Sequence, residues 1–301
     1  MLVTGACQVK AVVGIDLEQN YSSAISLLGR LNFGITETTL LHVTEPYSLT
    51  LPYSAYGVLV EADEFLAKLK ESAVANLAAA EAKANEFGLN PKTRMEDGFP
   101  IRSLIDFADD SAVDLICVTS TISNTLGALF GGSVARGLAI AAKHSILVAR
   151  ESELKNGPLK IVFAVDQSEY CNQCLDLLVK WAPKGISEAT ILTVVESKSD
   201  HRHLFGIGHS HQSIAPDHSS AISENGERLA RKLIEFGIPT HSKVVIGGID
   251  VSIHQAMVES GADLLVMGSP GHSFVDRVIS GSVSLHEVIF ERYPVLLLRP
   301  V

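Results

Sequence analysis

Three groups of residues in this chain have types and spacings that could carry chemistry. The first is Gly268, Gly271, Gly281 and Ser282, spaced G-x2-G-x9-G-S behind the apolar run Leu-Leu-Val-Met at 264–267. Such a run suits a strand covered on both faces of a parallel sheet. Glycine where the strand stops lets the backbone turn tightly and lets a ligand approach without meeting a Cβ. A helix opening at Gly281-Ser282 offers unpaired N–H groups and a partial positive charge, which together suit a phosphate. No lysine follows the last glycine, so this is not the GxxxxGK[ST] loop, and GxGxxG is absent too.

The second group is Cys171-Asn172-Gln173-Cys174, a CxxC just behind the apolar run 161–165 and its closing Asp166. A thiol at a helix start can have a lowered pKa and serve a redox pair. Cys171, Cys174, Leu178 and Trp181 also share one helical stripe, and packing in the core is the better account. The third group is His201, His203, His209, His211 and His218, five of the eleven histidines, set among Ser, Gly and Asp in residues 197–220. Clustered histidines suggest zinc. No cysteine and no i,i+4 pair on a firm helix fixes them, so a loop over a binding site is the preferred reading.

The elements that must position these residues come twice. Shifted by 149 to 151 residues, the sequence aligns with itself from end to end. Lys10–Asp16 matches Lys160–Asp166, Leu40–Glu45 matches Ile191–Glu196, Asp114–Val118 matches Asp263–Met267, and Ser145–Arg150 matches Pro294–Arg299. Glu-Phe-Gly at 86–88 and again at 235–237 reads as a helix closed by glycine. Within each copy, apolar strands alternate with amphipathic helices, the pattern of a parallel sheet wrapped by helices. The Ala-rich stretch 61–87 predicts a long helix. Residues 151–158 are polar and end in turn formers, which makes them the linker.

Composition sets limits. The 301 residues suggest about two domains, and 47% hydrophobic against 19% charged residues supports packed cores. A net charge of −10 argues against nucleic acid and anionic membrane as partners. No apolar run approaches the ~18 residues of a membrane-spanning helix, and the first residues lack a signal peptide's basic start and apolar core. Four cysteines are too few for a disulfide scaffold and fit a reducing cytoplasm.

Gly268, Gly271, Gly281 and Ser282, with Asp166 at the end of a first strand, resemble the ATP-binding signature of the universal stress protein family. The resemblance implies two tandem Rossmann-like domains of the adenine nucleotide alpha hydrolase type, 1–152 and 157–301. Each would be an α/β unit with five parallel strands in the order 3-2-1-4-5, with ligand beyond strands 1 and 4 where the winding reverses. It implies ATP with Mg2+ as cofactor. Asp166 would hold the adenine amino group or the ribose, and Val194, after strand 2, would offer backbone contacts to the base. Gly268, Gly271, Gly281, Ser282 and the amides of Val283 and Ser284 would hold the phosphates. Pro270 removes one donor from the loop, and a protonated His272 could supply positive charge there.

The first copy departs from that pattern. Thr119 and Ile122 stand where Gly268 and Gly271 stand, Glu18 replaces Ser168, and only Gly132-Ser133 and Asp16 are kept. Thr and Ile resist positive φ and fill space beside a phosphate, so the first half reads as a degenerate site. The expectation is a cytoplasmic stress-response or signalling module that binds ATP in its second half, with a homo-oligomer of tandem chains and a further protein as partners. No general base paired with a nucleophile is visible, so slow hydrolysis is the most this reading allows. The alternatives are an interaction scaffold with vestigial sites and a metal- or thiol-dependent redox protein.

Overall fold

The computed structural model describes residues 8–17, 19–45, 59–120, 133–150, 157–196, 216–269 and 282–300. It divides into two compact units, one formed by Gln8–Arg30 and Ile35–Lys155, the other by Asn156–Val301 with Leu31–Gly34. In the first unit the chain runs β1 (Gln8–Ile15), α1 (Ser22–Leu31), β2 (Ile35–Thr44), α2 (Leu59–Glu86), β3 (Lys92–Asp97), α3 (Pro100–Asp110), β4 (Leu115–Ser120), α4 (Ser133–Ala141) and β5 (Ser145–Arg150). The second runs β6 (Leu159–Val165), α5 (Glu169–Trp181), β7 (Ile186–Val195), α6 (Pro216–Phe236), β8 (Thr240–Ile246), α7 (Ile249–Ser260), β9 (Leu264–Gly268), α8 (Ser282–Phe290) and β10 (Val295–Leu298).

Every strand pair within a unit is parallel. The orders are β3-β2-β1-β4-β5 and β8-β7-β6-β9-β10, which in each unit is 3-2-1-4-5 as expected. The inner strands are largely apolar because helices cover both faces: Leu115–Val118 of β4 and Leu264–Met267 of β9 are buried. The helix expected over 61–87 occupies Leu59–Glu86.

Two devices recur in both units and show how the repeat is written in the sequence. Gly88 and Gly237 take φ of 71° and 103°, a conformation that favours glycine. The Gly88 amide donates to the Asn85 carbonyl at 2.9 Å and that of Leu89 to Ala84 at 3.1 Å. The Gly237 amide donates to Ile234 and that of Ile238 to Leu233, both at 2.9 Å. Each pair closes its helix in a Schellman motif, with Leu89 and Ile238 buried behind it. The second device is an aspartate ahead of the fourth strand. Asp114 accepts from the Lys10 amide at 2.8 Å and its own amide donates back to the Lys10 carbonyl at 2.8 Å. Asp263 does the same with Lys160, at 3.0 and 2.8 Å. These clamps fix the register of strands 1 and 4, on which any site at their carboxyl ends depends.

Candidate functional site

The carboxyl ends of β6, β7 and β9 are staggered. β6 stops at Val165 opposite Thr193, whereas β7 continues beside β8 as far as the Val195–Ile246 pair. Val194 therefore lies inside β7, not after it as the sequence reading had it, and beyond the end of β6. On the other flank Ala164 pairs with Met267, and Gly268 goes on to pair with Leu298 alone. Asp166 and Gly268 thus leave adjoining strands at the point where the winding reverses, the place where open α/β sheets take ligands.

Asp166 is exposed, and its turn is firmly built. Its Oδ1 accepts from the Ser168 amide at 3.0 Å and the Ser168 hydroxyl at 2.6 Å. Ser168 Oγ in turn accepts from the Cys171 amide at 3.1 Å and caps α5. Gln167 between them takes φ of 68°. A carboxylate is thereby presented to solvent from a turn that also starts a helix.

At Gly268 the reason for glycine differs from the one expected. Its φ is not positive; what crowds a side chain there is the helix above it. A Cβ there would lie 3.0 Å from Cys174 Sγ and 3.3 Å from Tyr170 Cε1. The chain just beyond is pinned. The Ser269 carbonyl accepts from the Tyr170 hydroxyl and from Arg299 Nε, both at 3.1 Å, and Arg299 is buried. Ser284, in the first turn of α8, donates to the Gly268 carbonyl at 3.3 Å. The start of that helix is thus tied to the end of β9, and Val283 beside it is half-buried. Ser282 opens α8. Gly271, Gly281, Pro270 and His272 lie outside the described residues, as do Glu18, Ile122 and Gly132 of the first half.

Tyr170, Cys174 and Arg299 were missed as supports of this strand end. Arg299 carried a signal, since Arg150 closes the matching strand and is buried as well. Both CxxC thiols are core groups: Cys171 and Cys174 are buried and free. Burial pushes the Cys171 thiol up to about 11 and that of Cys174 higher still, so neither is a ready nucleophile. His201, His203, His209 and His211 lie outside the described residues, and His218 falls at the start of α6.

In the first unit the equivalent strand end is closed by a side chain. Thr119 Oγ1 accepts from the Ala24 amide at 3.3 Å, serving an amide in the first turn of α1. Asp16 is kept and accepts from the Asn20 amide at 3.1 Å.

The model of the universal stress protein family matches this chain twice, over residues 22–150 and 159–287. With both halves of the chain covered, the protein belongs to the universal stress protein family, as a tandem of two such domains. A universal stress protein from Archaeoglobus fulgidus DSM 4304 is similar in structure, with a TM-score of 0.70 at 18% identity, over 97% of this chain and 96% of that one. A putative universal stress protein from Pseudomonas aeruginosa UCBPP-PA14 aligns with a TM-score of 0.54 at 15% identity, over 97% and 93%. A universal stress protein in complex with cAMP matches 48% of this chain and 98% of its own, with 21% identity and a TM-score of 0.38. Among curated proteins nothing matches. No helix among the described residues is long and apolar enough to cross a membrane.

Proposed function

We propose that the second domain, 157–301, binds ATP with Mg2+ and that the first, 1–152, does not. The chain then acts as a nucleotide-dependent stress-response or signalling module in the cytoplasm, assembled as a dimer of tandem chains. The observation that carries this reading is the meeting of Asp166 and Gly268 at adjoining strand ends, with the first turn of α8 bonded to the Gly268 carbonyl. A side-chain-free strand end, a solvent-facing carboxylate and a helix start are the parts a nucleotide needs: room, a partner for base or ribose, and amides for phosphate. In the first domain Thr119 occupies the equivalent strand end and spends its hydroxyl on α1. The remaining phosphate contacts are assigned to Gly271, Gly281, Ser282, Val283 and Ser284, and the base contact to the backbone of Val194.

Titration calorimetry with ATP and Mg2+ tests the reading, with an expected stoichiometry of one per chain. Gly271→Ile copies Ile122 and should weaken binding by about a hundredfold or more, because losing two hydrogen bonds to charged phosphate costs about 1.5–3 kcal/mol each. A stoichiometry of two, or full affinity in Gly271→Ile, would sink it.

A further inference from the structure

A second cluster lies on the facing helices α7 and α8, in residues that the nucleotide reading does not use. Asp250 and His254 stand one turn apart in α7, and His286 and Glu287 are adjacent in α8. His286 Nδ1 is 3.8 Å from Asp250 Oδ1 and 3.9 Å from Glu287 Oε1. Those separations exceed hydrogen-bond length. They are close to the spacing of donor atoms that share one ion at about 2.0–2.2 Å. One ligand atom from each of the three residues lies within 4.8 Å of the other two.

We propose that Asp250, His286 and Glu287 form a site for one divalent transition-metal ion of the zinc class. Two carboxylates and a neutral imidazole balance the ion's charge, and water completes a tetrahedral set. Glu287 is fully buried, while Asp250 and His286 are partly exposed, so an ion enters from the solvent side and meets the buried carboxylate beneath. The surrounding groups aim the ligands. The Tyr293 hydroxyl donates to Glu287 Oε2 at 2.5 Å, which leaves Oε1 as the oxygen nearer His286. Outer groups of this kind orient metal ligands in known sites.

The other half of the chain provides the control. At the 149-residue offset, Asp250, His254, His286, Glu287, Glu291 and Tyr293 correspond to Ile101, Ile105, Gly137, Leu138, Ala142 and His144. There the same two helices meet through carbon: Ile101 packs over Gly137 so closely that a Cβ on the glycine would overlap its Cδ1. The pair Ile101–Gly137 in one unit is Asp250–His286 in the other. An ordinary apolar seam therefore suffices for this fold, and the second copy has replaced it with carboxylates and imidazoles.

Zinc titration of the chelator-stripped full chain, without nucleotide, tests the site. The histidines at 201, 203, 209, 211 and 218 are replaced by alanine beforehand, so that they do not compete. One zinc per chain is expected to remain, and Asp250→Asn or His286→Gln should each weaken it by about tenfold or more. Asp250 is an exposed side chain, so its replacement does not threaten folding. Unchanged affinity in both variants, or no zinc bound once the five histidines are gone, would show an ion-pair cluster and overturn the proposal.

Discussion

Thr119 and Gly268 end equivalent strands, and each is fitted to the helix that crosses it. In the second unit α5 is capped from within by Ser168, and Tyr170 and Cys174 lean on the bare backbone of Gly268. In the first, the serine position is Glu18 and the cysteine position is Ala24, and Thr119 supplies an acceptor to the Ala24 amide. The substitutions compensate one another. A larger residue on the strand goes with a smaller one on the helix, and a cap lost from the turn goes with an acceptor gained from the sheet. The difference between Gly268 and Thr119 is thus a repacking of a strand end.

The comparison can be broken at three points. The largest effect concerns the thiols, which are the second unit's versions of the core positions Tyr21 and Ala24. With the Cys171 thiol raised from 9.0 to about 11, its thiolate fraction at pH 8 falls by about a hundredfold. Alkylation of Cys171 and Cys174 by iodoacetamide should be slower by at least about that factor in the native chain than in the unfolded one. Reaction at the unfolded rate would mean that these residues are not core equivalents. Next is Gly268→Thr, which should cost about 1–3 kcal/mol through overpacking against Cys174 and Tyr170. Adding Cys174→Ala, which reproduces the Thr119–Ala24 pair, should recover about 1 kcal/mol in a double-mutant cycle followed by denaturant unfolding. Strict additivity would show that the two positions do not compensate. The smallest effect is expected where the copies agree. Asp114→Ala and Asp263→Ala each remove a clamp on strand 1 and should each cost about 1 kcal/mol, with no more than about 0.5 kcal/mol between them.

The doubling and the alternation of strands with helices were legible because they rest on local pattern: apolar runs closed by Asp16 and Asp166, and helices closed by Gly88 and Gly237; the strand order came only from the family resemblance. The supports of the candidate site were harder to read. Tyr170 and Cys174 act on Gly268, close to a hundred residues away, and a helix stripe says which side chains are buried but not what they press upon. Val194 was set one step too late because β7 outruns β6, a difference in strand length that no single run of residues displays. The cluster at Asp250, His286 and Glu287 was within reach. The position-by-position comparison that exposed Thr119 and Ile122 would also have shown Ile101, Gly137 and Leu138 giving way to Asp, His and Glu. In sequence the two parts are more than 30 residues apart, and only the packing of α7 on α8 makes them one feature.

The aspartate clamps also set a timetable. Asp114 reaches back to Lys10 across 104 residues, and Asp263 to Lys160 across 103. On the ribosome, at about 5–20 residues per second, roughly 5–20 s separate the making of β1 from that of its second neighbour β4. The second half repeats the wait between β6 and β9. During each interval the central strand of that half has one flank without a partner, and closing so long a loop is itself slow. The spatial order 3-2-1-4-5 therefore imposes an order in time: the strand at the centre of each half is made first and waits longest to be enclosed.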